Sequence, residues 1–520
     1  TGKDRTPIYL PEIEMREYYL PQFRAAVQAG ASTLMVNSAE INGTPVHASH
    51  YLLTDVLRKE LGFQGVVVSD WEDIIRLHTR HFVAATPRAA VAMAVNAGVD
   101  MSMVPSDFSF FGLLKEAVEK GEVPMSRIDE AVRRILLLKF KVGLFDNPYP
   151  EPAAAANFGR PEYQALALQA AHEAMTLLKN DNAVLPLHHD VHLLVAGPAA
   201  RSISALNGCW SYTWQGNQEQ WYPAGSKTIV AALTDKLGAD HVTTTAAAGF
   251  DNPANYDTAA LKTAAAGADV IVLCLGENAY AESPGNIRDL ALPENQTALV
   301  RAAAGTGKPV ILVLTEGRPR LLGDIAPQGI LMAYWSGRKT AEAITDVLTG
   351  DYNPDGRLPF SYPRSMGEMV LYDRKPTEDI REIFNSDMTM NGYDPLFPFG
   401  FGLSYTTFSC DGIRLSSDNL SGNGKLTVSI TVHNTGNRDG KHTVELYTHE
   451  HYASITPNMR RLRAFKKIFL KAGESQTVSF TLDKNDLAFV NAQLKTVTEP
   501  GDFDVYIEDQ KATFKFTQGQ

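Results

Sequence analysis

The chain has 520 residues, enough for roughly three domains, and its 44% hydrophobic and 21% charged residues are those of an ordinary globular protein. Its 48 basic and 59 acidic residues give a formal charge of −11, with no basic run longer than Met459-Arg460-Arg461-Leu462-Arg463, so nucleic acid is not an expected partner. No uninterrupted apolar run of about 18 residues occurs, which argues against membrane insertion, and the cysteines (Cys209, Cys274, Cys410) allow one disulfide at most and no zinc site of familiar spacing.

Residues 1–145 read as successive strand-then-helix units. Thr33 to Asn37 is a strand, followed by a helix from about Ser49 to Leu61 that Gly62 stops. Val66-Val67-Val68-Ser69 is a β-branched run bounded by Gly65, the pattern of a strand buried on both faces. Ser69 and Asp70 stand at its carboxyl end, where parallel sheets and barrels place their chemistry. Asp70 followed by Trp71, Glu72 and Asp73 is a candidate nucleophile beside a sugar-stacking indole; alternatively, Ser69-x-x-Glu72 is a capping box and Asp70 a helix cap. Thr86-Pro87 announces the next helix, ending at Gly98; Val99 to Met103 is a third strand, with helices near 106–120 and 126–141. Three strands cannot close a barrel, and Gly2 to Pro7 has the pattern of a loop. These units are therefore expected to be the last part of a (β/α)₈ TIM barrel, its other strands supplied by another chain or by a removed N-terminal part.

A linker at 146–160, with Pro148, Pro150 and Pro152, leads to a second α/β region at 161–365. A helix over Glu162–Lys179 is followed by strands at His192–Ala196, near 242, at Asp269–Leu275, at Val310–Thr315 and near 330. Helices near 226–237, 257–267, 293–304 and 338–349 alternate with them, as in a doubly wound fold. Cys274 is expected to be a small buried core residue. No glycine pattern here makes a phosphate loop. Two loops stand out instead. Asn207 to Gly216 sets Trp210 and Trp214 among polar residues, suited either to stacking on sugar rings or to packing an interface. Gly276 to Gly285 carries Glu277 and Glu282 after a strand, as candidate acids or as solvated loop carboxylates.

Beyond a second linker at 366–398, residues 399–520 alternate with period two at Lys425–Val432, His442–Tyr447, Gln476–Leu482 and Phe503–Ile507. That pattern gives an all-β sandwich of fibronectin type III or immunoglobulin kind, with a scaffolding role.

The order and spacing of several segments resemble glycoside hydrolase family 3, the β-glucosidases and exo-β-glucanases. They are Lys3 to Pro7, Met35 to Gly43 with Pro45-Val46-His47-Ala48, Gly65 to Ile74, Leu177 to Asn180 with Leu185-Pro186-Leu187, Trp210 to Gly216, Gly276 to Gly285, Gly356 to Phe360 and Phe397 to Tyr405. The resemblance implies a multidomain α/β plus all-β fold: a partial (β/α)₈ TIM barrel, an (α/β)₆ sandwich and a fibronectin type III-like β-sandwich. It places Asp70 on the family's catalytic nucleophile and Glu282 on its acid/base, with Glu277 as the other candidate. Trp71, Trp214, Trp210, Met35 and Arg76 resemble residues lining or flanking the glucosyl subsite. The family's upstream Lys-His motif and further sugar ligands have no counterpart in these residues.

The activity that the resemblance implies is that of a retaining exo-acting β-glycosidase. The expected substrate is a β-linked oligosaccharide or an aryl β-glucoside, turned over through a glycosyl-aspartate in a cleft between barrel and sandwich, without metal or other cofactor. A β-xylosidase, a glycoside phosphorylase of the same family and a catalytically silent carbohydrate-binding protein are the alternatives. Such a substrate fits a periplasmic or extracellular protein.

Overall fold

Three short parallel strands carry the first compact unit, residues 1–158 with 489–496. The computed structural model describes residues 3–245, 249–250, 257–367, 371–378, 383–385, 388–389 and 393–519, so the expected 366–398 linker lies partly outside the described residues. The strands are β1 (Thr33–Met35), β2 (Val66–Trp71) and β3 (Met101–Met103), in the order β1-β2-β3. Helices Pro87–Ala97, Ser109–Glu119 and Met125–Lys141 stand close to their expected positions. Thr86 accepts the amide of Ala89 as an N-cap, and Gly98 closes the same helix with φ +130°. The helix expected over 49–61 is a π-helical stretch, Tyr51–Glu60, preceded by a 3₁₀ turn at Val46–Ala48.

One buried carboxylate organises the amino end of this sheet. Asp100, with no side-chain exposure, receives Arg58 at 2.6 Å, Arg127 at 2.7 Å and Arg134 at 2.9 Å. It also accepts the Val67 amide at 3.0 Å, so three helical cations and the central strand converge on it.

The second unit, residues 159–488 with 497–520, contains a six-stranded sheet and a β-sandwich. Its sheet strands are β4 (Thr176–Asn180), β5 (Leu193–Ala196), β6 (Val242–Thr244), β7 (Val270–Gly276), β8 (Val310–Thr315) and β9 (Gly329–Met332), ordered β4-β9-β8-β7-β5-β6. All pairings are parallel except that of β4 with β9. Alternate residues of the central strands feed two cores. Leu193, Val195, Val272, Cys274, Ile311 and Val313 pack into one, while Leu194, Ala196, Ile271, Leu273, Leu312 and Leu314 pack into the other. Burial on both faces is why these strands read as continuous apolar runs.

One expectation is corrected here. The helix expected over Glu162–Lys179 ends at Ala174, and Thr176–Asn180 is strand β4 instead. Pairing with β9 buries Thr176, Leu177 and Leu178 against the sheet. The outer side of β4 is covered: Leu403 donates its amide to the Leu177 carbonyl at 2.7 Å, an antiparallel bridge on the approach to the sandwich.

The sandwich has a three-stranded sheet, β10-β12-β15, from β10 (Phe408–Leu415), β12 (Leu426–Asn434) and β15 (Ser475–Leu482). The opposing sheet is β11-β17-β16-β13-β14, from β11 (Asn419–Ser421), β13 (Gly440–Glu450), β14 (Arg461–Leu470), β16 (Gly501–Ile507) and β17 (Gln510–Thr517). Leu426, Val428, Ile430 and Val432 point inward against Val444, Leu446, Phe503 and Phe514. Their alternation was visible in the sequence. β10 and β14 were not, because a register shift in one and a charged stretch in the other break the period; β17, whose Ala512, Phe514 and Phe516 do alternate inward, was not singled out either.

Candidate active site

Asp70 sits where the central strand of the first unit loses register. Val68 pairs with Met101 and Trp71 with Met103, and the ladder shifts between them. Ser69 spans the break: its hydroxyl accepts the Met103 amide at 2.8 Å and donates to the Asp70 carbonyl at 2.8 Å. Irregularities of this kind re-aim side chains at sheet rims. On the other side of the strand the Asp70 amide donates to Nε2 of His47 at 3.2 Å. The carboxylate accepts the Trp71 amide on Oδ1 at 2.6 Å and lies 3.7 Å from an Arg5 guanidinium nitrogen on Oδ2.

The capping-box alternative is therefore overturned. Ser69 and Asp70 belong to β2, and the helix Asp73–Thr79 starts from Glu72 in a left-handed conformation with no side-chain cap. Of the other expected residues in this unit, Trp71 and Met35 are both half-exposed. Met35 pairs with Val68 one strand over. Arg76 is committed to Asp73 at 2.8 Å and approaches Glu72 at 3.9 Å.

His47 is buried, and desolvation lowers its pKa to about 4 despite the opposing charges of Asp73 and Asp70. Because Nε2 accepts a backbone N–H, the proton of the neutral ring is on Nδ1. Sequence reasoning gave His47 and Arg5 no role, although both stand in the family-like segments. Their partners lie 23 and 65 positions away along the chain.

In the second unit the two expected loops meet. Trp214 Nε1 donates to Glu282 Oε1 at 3.2 Å, and the Trp210 amide donates to the Trp214 carbonyl at 3.0 Å. Trp210 and Trp214 keep 69% and 47% of their surface exposed, so their rings remain open for stacking, not spent on a core. The tight path of the tryptophan loop needs Gly216, with φ +68°: a Cβ there would lie 2.1 Å from the Gly208 carbonyl oxygen. Glu282 itself has φ 53° and ψ −140°, a conformation rarely taken by a residue with a Cβ.

Glu277 is differently placed. It is buried, with Arg320 at 2.9 Å and Arg318 at 3.2 Å on Oε1, and Tyr280 Oη at 3.1 Å and the Gly317 amide at 3.3 Å on Oε2. Below it Glu316 is fully buried, and desolvation pushes its pKa up to about 8. Glu277 thus anchors the base of its loop.

Among the described residues, one group has metal-ligand chemistry: Cys410, His442 and Glu508 in the sandwich. His442 Nε2 faces Glu508 at 3.0 Å and its Nδ1 faces Arg357 at 3.4 Å. With both ring nitrogens engaged, the histidine serves as a polar link from Arg357 to Glu508. No helix among the described residues is long and apolar enough to cross a membrane.

The chain matches three family models: the glycosyl hydrolase family 3 N-terminal domain over residues 1–138, the glycosyl hydrolase family 3 C-terminal domain over 175–405, and a fibronectin type III-like domain over 442–511. It is 40% identical to a lysosomal beta glucosidase of Dictyostelium discoideum over 98% of its own length and 64% of that protein's. It is 36% identical to a periplasmic beta-glucosidase of Salmonella typhimurium over 99% of its own length and 71% of that protein's. The chain thus spans about two thirds of the length of these relatives. A beta-glucosidase from Listeria innocua in complex with glucose superposes with a TM-score of 0.90 at 30% identity, covering 100% of this chain and 72% of that one. With its strand–helix repeats, six-stranded α/β sheet and β-sandwich in that order, the chain belongs to glycoside hydrolase family 3.

Proposed function

We propose that this chain carries the catalytic groups of a retaining exo-acting β-glycosidase acting on terminal β-D-glucosyl residues. Asp70 is the nucleophile: it attacks the anomeric carbon as the glycosidic bond breaks, forming a glycosyl-aspartate. Glu282 is the acid/base: it gives its proton to the departing glycosidic oxygen, then takes one from the water that releases the sugar. Retaining chemistry needs the two carboxyl groups about 5–5.5 Å apart across the scissile bond.

The observation that carries this reading is the contrast between the two loop glutamates. Glu277 is held by two guanidinium groups, whereas Glu282 meets an indole N–H beside two exposed tryptophan rings. Beta-glucosidase relatives support glucose as the glycone, and the periplasmic relative supports placement outside the cytoplasm.

The experiment is a kinetic comparison of variants with a panel of aryl β-glycosides that includes a β-xyloside. Asp70→Asn should abolish turnover, and a 2-fluoro glucoside should label Asp70; a label on another residue removes the assignment. Glu282→Ala should lose roughly 10²–10⁴-fold on poor leaving groups, keep glycosylation by activated ones and regain turnover with azide. Should Glu277→Ala show that pattern instead, the acid/base role passes to Glu277.

A further inference from the structure

The indole loop and the glutamate loop are joined by a side chain that the chemistry above does not use. Gln215 lies against Ala281 as a neighbouring strand would. Its Oε1 accepts the Ala281 amide at 2.9 Å, and its Nε2 donates to the Ala281 carbonyl at 3.1 Å. Ala281 is buried and immediately precedes Glu282.

Gln215 is itself held on a stiff turn. The next residue, Gly216, has no room for a Cβ, and its carbonyl accepts Tyr222 Oη at 2.6 Å. A second tie lies further back, where Ser204 Oγ donates to Asn278 Oδ1 at 2.9 Å and Glu219 gathers the Ser204 amide at 3.0 Å. The glutamate loop is therefore held at Ala281 by the indole loop and at Asn278 by the short helix Ser204–Asn207 that precedes that loop.

Glu282 pays for its position with a left-handed φ of 53°, and such a conformation persists only where the surroundings over-determine it. The two bonds fix the peptides on either side of Ala281, the second of which enters Glu282, and hence where its carboxyl group points. We propose that Gln215 is a positioning residue: it holds Ala281 so that the Glu282 carboxyl stays on Trp214 Nε1, and the proton donor and the stacking indoles move as one body. This rests on Glu282 being the acid/base.

Misplacing a catalytic group by about 1 Å can cost 10²-fold, so releasing Gln215 should weaken protonation of the leaving group more than any other step. Wild type, Gln215→Ala, Gln215→Glu and Glu282→Ala are compared by hydrogen exchange and by leaving-group dependence. Gln215→Glu keeps an acceptor for the Ala281 amide and sets a second oxygen against its carbonyl. In both Gln215 variants, peptides covering 208–216 and 279–285 should exchange at least about tenfold faster, with the rest of the chain unchanged. Their kcat/KM should fall roughly 10–100-fold on alkyl glucosides and less than about threefold on a dinitrophenyl glucoside.

Unchanged exchange in the two loops, or a loss equal for all leaving groups, overturns the proposal. If Glu282→Ala itself shows no dependence on leaving group, the acid/base assignment falls, and the exchange arm alone decides whether Gln215 holds the loop.

Discussion

At the residue scale, His47 ties acidity to the strand that carries Asp70. It must be neutral to accept the Asp70 amide on Nε2, and burial lowers its pKa to about 4 from an ordinary 6.5. Between those values the unfolded chain binds more protons than the folded one, so stability falls as pH drops from 6.5 to about 4 and no further on this account. The shift corresponds to on the order of 3 kcal/mol at most. His47→Asn should flatten the decline in melting temperature across that window. An unchanged decline would mean that other groups dominate it. The same protonation removes the acceptor of the Asp70 amide, so turnover should weaken on the acid side together with stability.

At the element scale, Asp100 decides whether the helices of the first unit stay docked. Its carboxylate is the shared partner of Arg58, Arg127 and Arg134, and removing one partner of a buried charge cluster typically costs about 3–5 kcal/mol. Asp100→Ala should therefore destabilise this unit severely, seen as a lowered denaturation midpoint. A shift no larger than that of an exposed aspartate variant would contradict the hub role.

Elements of this kind differed in how far the sequence revealed them. β7 and β8 were legible because Val270–Leu275 and Val310–Leu314 are apolar and alternate between two cores. β4 was not, because Thr176–Asn180 follows an alanine-rich helix without a breaker, and only pairing with Gly329–Met332 makes it a strand. The loss of register at Asp70 left no trace, since it depends on Met103 docking onto the Ser69 hydroxyl. Trp214 and Glu282 were both singled out, yet the contact between them closes a separation of 68 residues and no local pattern encodes it. Neither does any pattern encode the hold of Gln215 on Ala281.

At the scale of the whole molecule, the α/β sheet and the sandwich of the second unit are joined by a charged network. Glu173, on the helix Pro161–Ala174, receives Lys441 at 2.6 Å and Lys467 at 3.4 Å, and Lys467 reaches Asp355 at 2.6 Å. The Lys441 hydrogen bond leads in lowering the Glu173 pKa to about 2. A carboxylate with a depressed pKa stabilises fully above its ordinary value of 4.5, and that contribution is lost as pH falls through about 2. Glu173→Gln should cost about 1 kcal/mol near neutral pH, and the gap to wild type should close on acidification. A gap that persists at pH of about 2 would point to packing instead of charge.

The bridge from Leu403 to Leu177 has a further consequence. It covers the flank of Thr176–Asn180 with the segment that leads into the sandwich, so the α/β lobe is not complete until that segment is laid down. Trimming the chain ahead of position 403 would strip this guard, leaving the Leu177 carbonyl without its partner on an uncovered edge strand. Such a fragment would stick to its own kind, and attempts to pare the protein down to its α/β lobe would end in precipitate.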